Sequence, residues 1–506
     1  MRRRIDEAAE AMEGEVIAGD GSALWRGAAL DSRRVAGGEL FFALAGETTD
    51  GHRFVGDALA RGAAAAVVQQ PVAALGPQPL PEAGCLVRVD DTFEALHALV
   101  RRLRAELPDV VIGITGSVGK TTTKELVAAV LAERFRTART PGNLNNLYGF
   151  PLAFLGIPDD TEVMVAELGM SVPGELGRVS ALARPDGVVL TAVRPAHLEN
   201  FPDVAAIAEA KAEIFDGVPT EGDRGARAFA VANRDDPQVV RVTERWAAGD
   251  APGGGSRRVV WYGLSDDPAI TVRGRDVRPA LLADGRVGIR FHLELGTGDS
   301  AANGEVDVPL HGRYNASNAL AAAGVAHALS LGLDAIRRGL SQARGAAHRG
   351  AVHRLACDAT LVDDAYNSNP DALAEALASA RDLARDWERG AVKEEIAWPA
   401  GTDGRLVAIL GDMLELGPEA ARFHREAGRL AAVLGFDPVV GVGPLAAELV
   451  AAARAAGART AVHCADAAAA ADWAARHVLP GDLVLVKGSR GIGLERVVDR
   501  LLEGAD

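Results

Sequence analysis

Short, wholly apolar runs separated by stretches of helical period set the pattern of this chain. VVIGI (110–114), VMVAE (163–167), GVVLT (187–191) and AFAVA (228–232) lack the in/out alternation of a half-exposed strand. Such runs belong to strands covered on both faces, and their spacing predicts βαβ units around a mostly parallel sheet. After an Ala-rich helical stretch at 315–331 the alternation resumes, with strands expected at 359–363, 405–410, 438–442 and 482–486. Between 252 and 310, Gly-rich turns separate alternating stretches such as VGIRFHLEL (287–295), which predicts an antiparallel flap or edge. Upstream, runs at 39–44, 63–68 and 85–89 mix with helical patterns, and a helix over 92–107 closes that segment before Pro108. The Pro-rich 71–81 and the aperiodic 387–404 read as surface loops, and no internal repeat is visible.

The expected fold is α/β in three domains: a small α/β unit at 1–107, a central parallel-sheet unit at 108–344, and a Rossmann-like unit at 345–506. A length of 506 residues fits, at roughly 150 residues per domain. Hydrophobic residues at 48% are too many for a disordered chain, so a globular enzyme is the default. The net charge of −15 opposes non-specific attraction to nucleic acid or anionic lipid, so no nucleic-acid partner is expected and any anionic ligand must be held locally. Cys85, Cys357 and Cys464 lie far apart without CxxC spacing, which favours a reducing cytosol over a disulfide framework. Asp6, Glu7 and Glu10 occupy the place of a signal peptide's apolar core, and no apolar run is long enough to span a bilayer. The expected location is cytoplasmic.

The strand at 110–114 runs into Thr115-Gly116-Ser117-Val118-Gly119-Lys120-Thr121-Thr122, with a helical pattern at 124–135 behind it. Strand, glycine loop and helix are the order in which backbone N–H groups close on phosphate oxygens. Lys120 can reach the β and γ phosphates, and Thr121 can offer a hydroxyl to Mg²⁺. The strict spacing would put Gly at 114, where Ile stands; Gly113 and Gly116 bracket that position, so the loop is a variant. The plain alternative is a Gly-rich turn carrying a surface Lys. A phosphate loop leaves kinases, GTPases, helicases and ligases open. Glu167, ending a strand, is a candidate Mg²⁺ ligand, whereas His197 and Lys211 taken singly fit a surface loop and a solvated helix face.

Asp31-Ser32-Arg33, LFFALAGE (40–47), TPGNLNN (140–146), DDAYNSNP (363–370) and GDMLELG (411–417), together with the phosphate loop, resemble the Mur ligase family over almost the whole chain. The Asn-rich and GDMLELG segments favour the member that adds a dipeptide. The resemblance implies an ATP-dependent ligase that joins D-alanyl-D-alanine to UDP-N-acetylmuramoyl-tripeptide through an acyl phosphate, in peptidoglycan precursor synthesis. A sibling adding one amino acid, meso-diaminopimelate or lysine, is the near alternative. A P-loop binding or regulatory protein that hydrolyses ATP slowly and couples it to domain movement is the distant one.

The same resemblance implies that Thr115, Gly116, Ser117, Gly119, Lys120, Thr121 and Thr122 hold ATP. It gives Thr121 and Glu167 to one Mg²⁺, and His197 with a carbamylated Lys211 to a second. Asn315 and Asn318 match an adenine-contacting pattern, although Asn315 could simply cap a helix. Arg349 is the candidate to reach phosphate from the last domain, with Arg344 and Arg354 as competitors; relatives usually have Gly where His348 stands. Asp364 matches a nucleotide-contacting aspartate. Ser32, Arg33, Thr48 and Asp50 are the UDP-sugar candidates, and Asn143 and Asn146 the muramoyl-peptide candidates. Tyr366 and Asn367, in the same loop as Asp364, are substrate-binding candidates with a turn-forming role as the rival, and Lys487, Ser489 and Arg490 are assigned to the incoming dipeptide or to closure of the last domain. A monomer is implied.

Overall fold

The computed structural model describes residues 3–46, 49–70, 84–195, 198–249, 257–296, 301–388 and 404–504. Three main sheets follow one another along the chain. The first has five strands in the order Glu15–Ala18, Cys85–Arg88, Ala65–Val68, Leu40–Phe42, Ala28–Ala29, parallel except for its first pair. The central sheet has nine. Val110–Thr115 lies between Val163–Glu167 and Gly187–Leu190, all parallel, which accounts for its apolar residues on both faces. Its far edge is the antiparallel set Val272–Leu281, Val287–Leu295 and Ala302–Val308, the expected flap. The last sheet has six strands, with Leu483–Lys487 between Thr360–Asp364 and Leu406–Gly411.

Two expected elements shift. The helix behind the phosphate loop is Lys120–Leu131, not 124–135: Gly119 at φ +84° turns the chain straight into the first helical turn, so Lys120 and Thr121 belong to the helix itself. The helix Pro370–Glu388 runs through the start of the stretch expected as loop at 387–404. Residues 389–403 of that stretch, and the loop expected at 71–81, lie outside the described residues.

One apolar core joins the first sheet's region to the central one. Leu96, Leu99 and Leu103 of the helix Thr92–Arg104 share it with Phe150, Phe154, Val179 and Leu182. Arg104, fully buried, donates to the carbonyls of Pro108, Ala183 and Arg184 and pairs with Asp186 at 2.6 Å. The last sheet has separate cores on its two faces. Leu281 and Val287, flanking the hairpin turn of the antiparallel edge, pack against one of them. In that turn, Arg286 donates to the carbonyls of Ser341 and Ala343, where the helix Leu333–Gln342 ends and the chain leaves for the last sheet.

Candidate active site

The parallel strands of the central and last sheets end at a shared cleft, as expected for ligand sites in open α/β sheets. It holds a cavity of about 390 Å³ lined by Ser117–Thr122, Glu167, Arg194, Asn318, Arg349, Asp364, Asn367 and Lys487. The sequence separates these groups by up to several hundred positions, and the fold converges them.

The phosphate loop is shaped by two glycines. A Cβ on Gly116, at φ +152°, would sit 1.9 Å from Thr191 Oγ1, and one on Gly119 would sit 2.4 Å from Asn318 Oδ1. Only glycine fits at either place. Lys120 Nζ donates to Gly116 O at 2.8 Å. Burial draws its pKa down, Glu167 opposes that, and the charge of Arg349 adds to it. Thr115 is fully buried beneath the loop, while Thr122 lines the cavity.

Thr121 Oγ1 donates to Glu167 Oε2 at 2.8 Å, and Asn145 Nδ2 donates to Glu167 Oε1 at 3.0 Å. A hydroxyl beside one oriented carboxylate is a donor set that suits Mg²⁺, a hard cation that completes its shell with phosphate and water. No cluster of three or more His, Cys, Asp or Glu able to hold a metal occurs among the described residues. His197 lies outside them. Lys211, in the helix Val204–Ala212, is 3% exposed and has no hydrogen-bond or ion-pair partner among the described residues. Burial, reinforced by Lys120, holds its pKa well below the ordinary lysine value. It is not on a solvated helix face.

Asn318 faces the cavity, its Nδ2 donating to Asn315 Oδ1 at 2.9 Å. Asn315 is buried one turn below, donating to His311 O at 2.7 Å, and does not line the cavity. It caps nothing: the helix Tyr314–Ala328 begins at Arg313 without a side-chain cap.

From the last sheet, Arg349 enters the cavity with its guanidinium 4.1 Å over the Tyr366 ring and its buried Nε unpartnered. Arg354 instead pairs with Asp358, and Arg344 opens onto a separate surface hollow. His348 has φ +59°, a left-handed conformation that Gly adopts without strain. Asp363 holds the imidazole at 2.9 Å. Lys487 Nζ donates to Asp364 Oδ2 at 2.6 Å and to Asn367 O at 2.9 Å. Burial raises the Asp364 pKa, opposed by Lys487 and Arg349. Tyr366, Ser489 and Arg490 lie behind this wall: Arg490 donates to Tyr366 Oη, and Ser489 binds Leu414 N and Ser368 O.

The first sheet's candidates lie away from the cavity. Ser32 is buried, Arg33 is exposed and paired with Asp31, and Asp50 is engaged by His52 and Gln70. Thr48 lies outside the described residues. Asn143 is exposed, and Asn146 Oδ1 accepts from Tyr148 N and Gly149 N at the start of the helix Gly149–Leu155. Two residues that the motifs did not single out matter here. Asn145 reaches Glu167, and Arg194 exchanges backbone hydrogen bonds with Ser117 Oγ while facing Asp371 at 3.7 Å.

Three family models match consecutive parts of the chain: the Mur ligase family, catalytic domain at 26–104, the Mur ligase middle domain at 114–326, and the Mur ligase, glutamate ligase domain at 348–490. The chain is similar to the UDP-N-acetylmuramoyl-tripeptide–D-alanyl-D-alanine ligases of Bacillus subtilis, at 30% identity over 94% of this chain and 93% of that one, and of Escherichia coli, at 32% over the same shares. Among solved structures it resembles MurF from Acinetobacter baumannii, with a TM-score of 0.80, 26% identity and 99% of each chain covered. It also resembles MurF from Thermotoga maritima in complex with ADP, with a TM-score of 0.73, 26% identity, and 94% and 97% covered.

Proposed function

The chain belongs to the Mur ligase family, and from that premise we propose that it is the ATP-dependent ligase joining D-alanyl-D-alanine to UDP-N-acetylmuramoyl-tripeptide. One observation carries this reading: the phosphate loop faces Arg349, Asp364 and Lys487 of the last sheet across a single cavity. That is the geometry needed to hand a γ-phosphoryl group from ATP to a carboxylate and then admit an amine.

The tripeptide's terminal carboxylate oxygen attacks the γ phosphorus, the bond to ADP breaks, and an acyl phosphate forms. The dipeptide amine then attacks the acyl carbon. The tetrahedral adduct collapses to the amide, expelling inorganic phosphate and losing the amine proton. Lys120 and Arg349 supply positive charge where two anions must approach, in a protein whose net charge is −15. Thr121 and Glu167 would hold Mg²⁺, which when bound neutralises charge on the β and γ phosphates. Lys211 fits the family's carbamylated lysine because burial and the neighbouring Lys120 charge favour the neutral form of its amine, and only a neutral amine adds CO₂. The product is an anionic oxygen pair suited to a second Mg²⁺ with His197. Asn318 serves adenine with Asn315 bracing it, and Asn143 and Asn146 face the muramoyl peptide.

In this reading residues 1–107 bind the UDP-sugar through Ser32, Arg33, Thr48 and Asp50, residues 108–344 bind ATP, and residues 345–506 form the closing domain. Lys487, Ser489 and Arg490 support the dipeptide side or the closure of that domain, and Tyr366 and Asn367 serve substrate from the Asp364 loop. In this reading the enzyme is a monomer in the cytoplasm; separately, no helix among the described residues is long and apolar enough to cross a membrane.

The test supplies the protein with UDP-N-acetylmuramoyl-tripeptide labelled with ¹⁸O in its terminal carboxylate, D-alanyl-D-alanine, ATP and Mg²⁺. The expected result is amide product, ADP, and ¹⁸O in the released phosphate. Product with single amino acids would point to a sibling ligase, and ADP release that ignores every acceptor would overturn the reading.

A further inference from the structure

Lys124 carries a charge that the mechanism above does not use. It lies one turn beyond Lys120 on the phosphate-loop helix, with a side chain wholly shut off from solvent. An ammonium so buried is costly unless it is paired and hydrogen-bonded. Its Nζ donates to Gly142 O at 3.1 Å, lies 3.4 Å from Glu125 Oε1, and lies 3.9 Å from Glu167 Oε2. Glu125 is itself held by Arg139 at 2.5 Å, so the position of the ammonium is fixed from behind.

These contacts join two parts that the chemistry uses separately. Gly142 is at the exposed apex of the loop 140–146, whose base is tied to the strand carrying Glu167. Thr140 Oγ1 accepts from Glu167 N at 3.1 Å, and Gly169 N donates to Asn145 O at 2.8 Å. Asn145 Nδ2 then returns from the loop to Glu167 Oε1. Loop and carboxylate are thus linked twice, by Asn145 from one side and by Lys124 from the other.

We propose that Lys124 is a positioning residue that ties the loop 140–146 to the carboxylate of Glu167, so that the metal site and the peptide-facing loop keep one geometry. This rests on the reading above, in which Glu167 serves Mg²⁺ and the loop faces the muramoyl peptide. Lys124 touches neither ligand; it acts through Glu167 and Gly142.

The test compares wild type with Lys124→Met, Lys124→Arg and Asn145→Ala. Nucleotide binding is measured by calorimetry with ADP, with and without Mg²⁺, and KM is measured for each substrate. In Lys124→Met the free Mg²⁺ needed for half-saturation and the KM for UDP-N-acetylmuramoyl-tripeptide should rise together, each by about tenfold. Affinity for ADP without Mg²⁺ and the KM for D-alanyl-D-alanine should stay near wild type. Lys124→Arg should recover part of both losses. Asn145→Ala, which removes the other link without uncovering a buried charge, should show the same paired rise, and it decides the matter if Lys124→Met does not fold. A lower melting temperature with both quantities unchanged, or a rise in only one of them, would overturn the proposal. Failure of the underlying reading shows instead in the wild type, as nucleotide binding indifferent to Mg²⁺ or absence of ligation.

Discussion

Where the first sheet's region meets the central one, the seam is an extension of the core; where the central region meets the last, it is a polar cleft with a few anchored points. Leu96, Leu99 and Leu103 interdigitate with Phe150 and Phe154, and Arg104 is locked to Asp186 beneath them. Across the other seam, His311 Nε2 donates to Ser379 O at 3.0 Å and Arg194 faces Asp371, with the cavity between. Close-packed apolar surface resists sliding, whereas isolated polar links rearrange at small cost. The first seam is therefore built to hold its two regions together, and any freedom to open and close the cleft would belong to the second seam.

Substitutions can break this contrast, and the largest effect is expected in the cleft. Lys120→Ala should lower ATP-dependent ligation by at least about 10²-fold while UDP-sugar affinity stays within about twofold, measured by steady-state kinetics and calorimetry. Equal loss of both would contradict the placement of phosphate chemistry in the cleft alone. Asp186→Asn leaves the buried Arg104 without its counter-charge and should cost about 3–5 kcal/mol in urea unfolding. A change confined to the last domain's transition would show that the first seam is not the rigid one.

The third prediction concerns pH. Burial pushes the His311 pKa down to about 4, so the ring is neutral in the folded protein and its Nε2–H can serve Ser379. An unfolded histidine takes up its proton near pH 6.5. Between about pH 6.5 and 4 the unfolded chain then binds more protons than the folded one. The stability present above that window should fall by up to roughly 3 kcal/mol as the pH drops through it. His311→Gln, whose amide donates at any pH, should flatten that dependence in unfolding midpoints measured at pH 7 and pH 5. The smallest effect belongs to Arg194 and Asp371, both substantially exposed: a double-mutant cycle should give a coupling below about 1 kcal/mol that fades with salt. A larger, salt-resistant value would mean that the second seam is latched more firmly than its exposure implies.

The sequence revealed what is local and periodic. Buried parallel strands announce themselves as uninterrupted apolar runs, and the phosphate loop is contiguous, so 110–122 could be read directly. The antiparallel edge showed in the alternation of 287–295. What escaped is made by distant segments meeting. Asn145 sat inside a motif already noted, yet its role depends on Glu167, twenty-two residues away, presenting a second oxygen. Arg194 carries no motif, and Lys124 looks like any charged residue of an amphipathic helix until Gly142 of the loop 140–146 and Glu167 are found against it. Asn315 and Asn318, equal in sequence, part company in depth: one faces the cavity and the other is sealed beneath it. The choice of Arg349 over Arg344 and Arg354 was a matter of direction, which spacing does not encode.

The hairpin turn that carries Arg286 gives the second seam an axle. Leu281 and Val287 bear on the last sheet's region while Arg286 grips the carbonyls where the connecting chain departs, so a rotation across that seam would pivot there. Displacement then grows with distance from the bearing, as along a lever. Material near the hairpin would travel little, and the edge strand Ala461–Cys464, at the other end of the sheet from Ala351–Arg354, would sweep the wider arc.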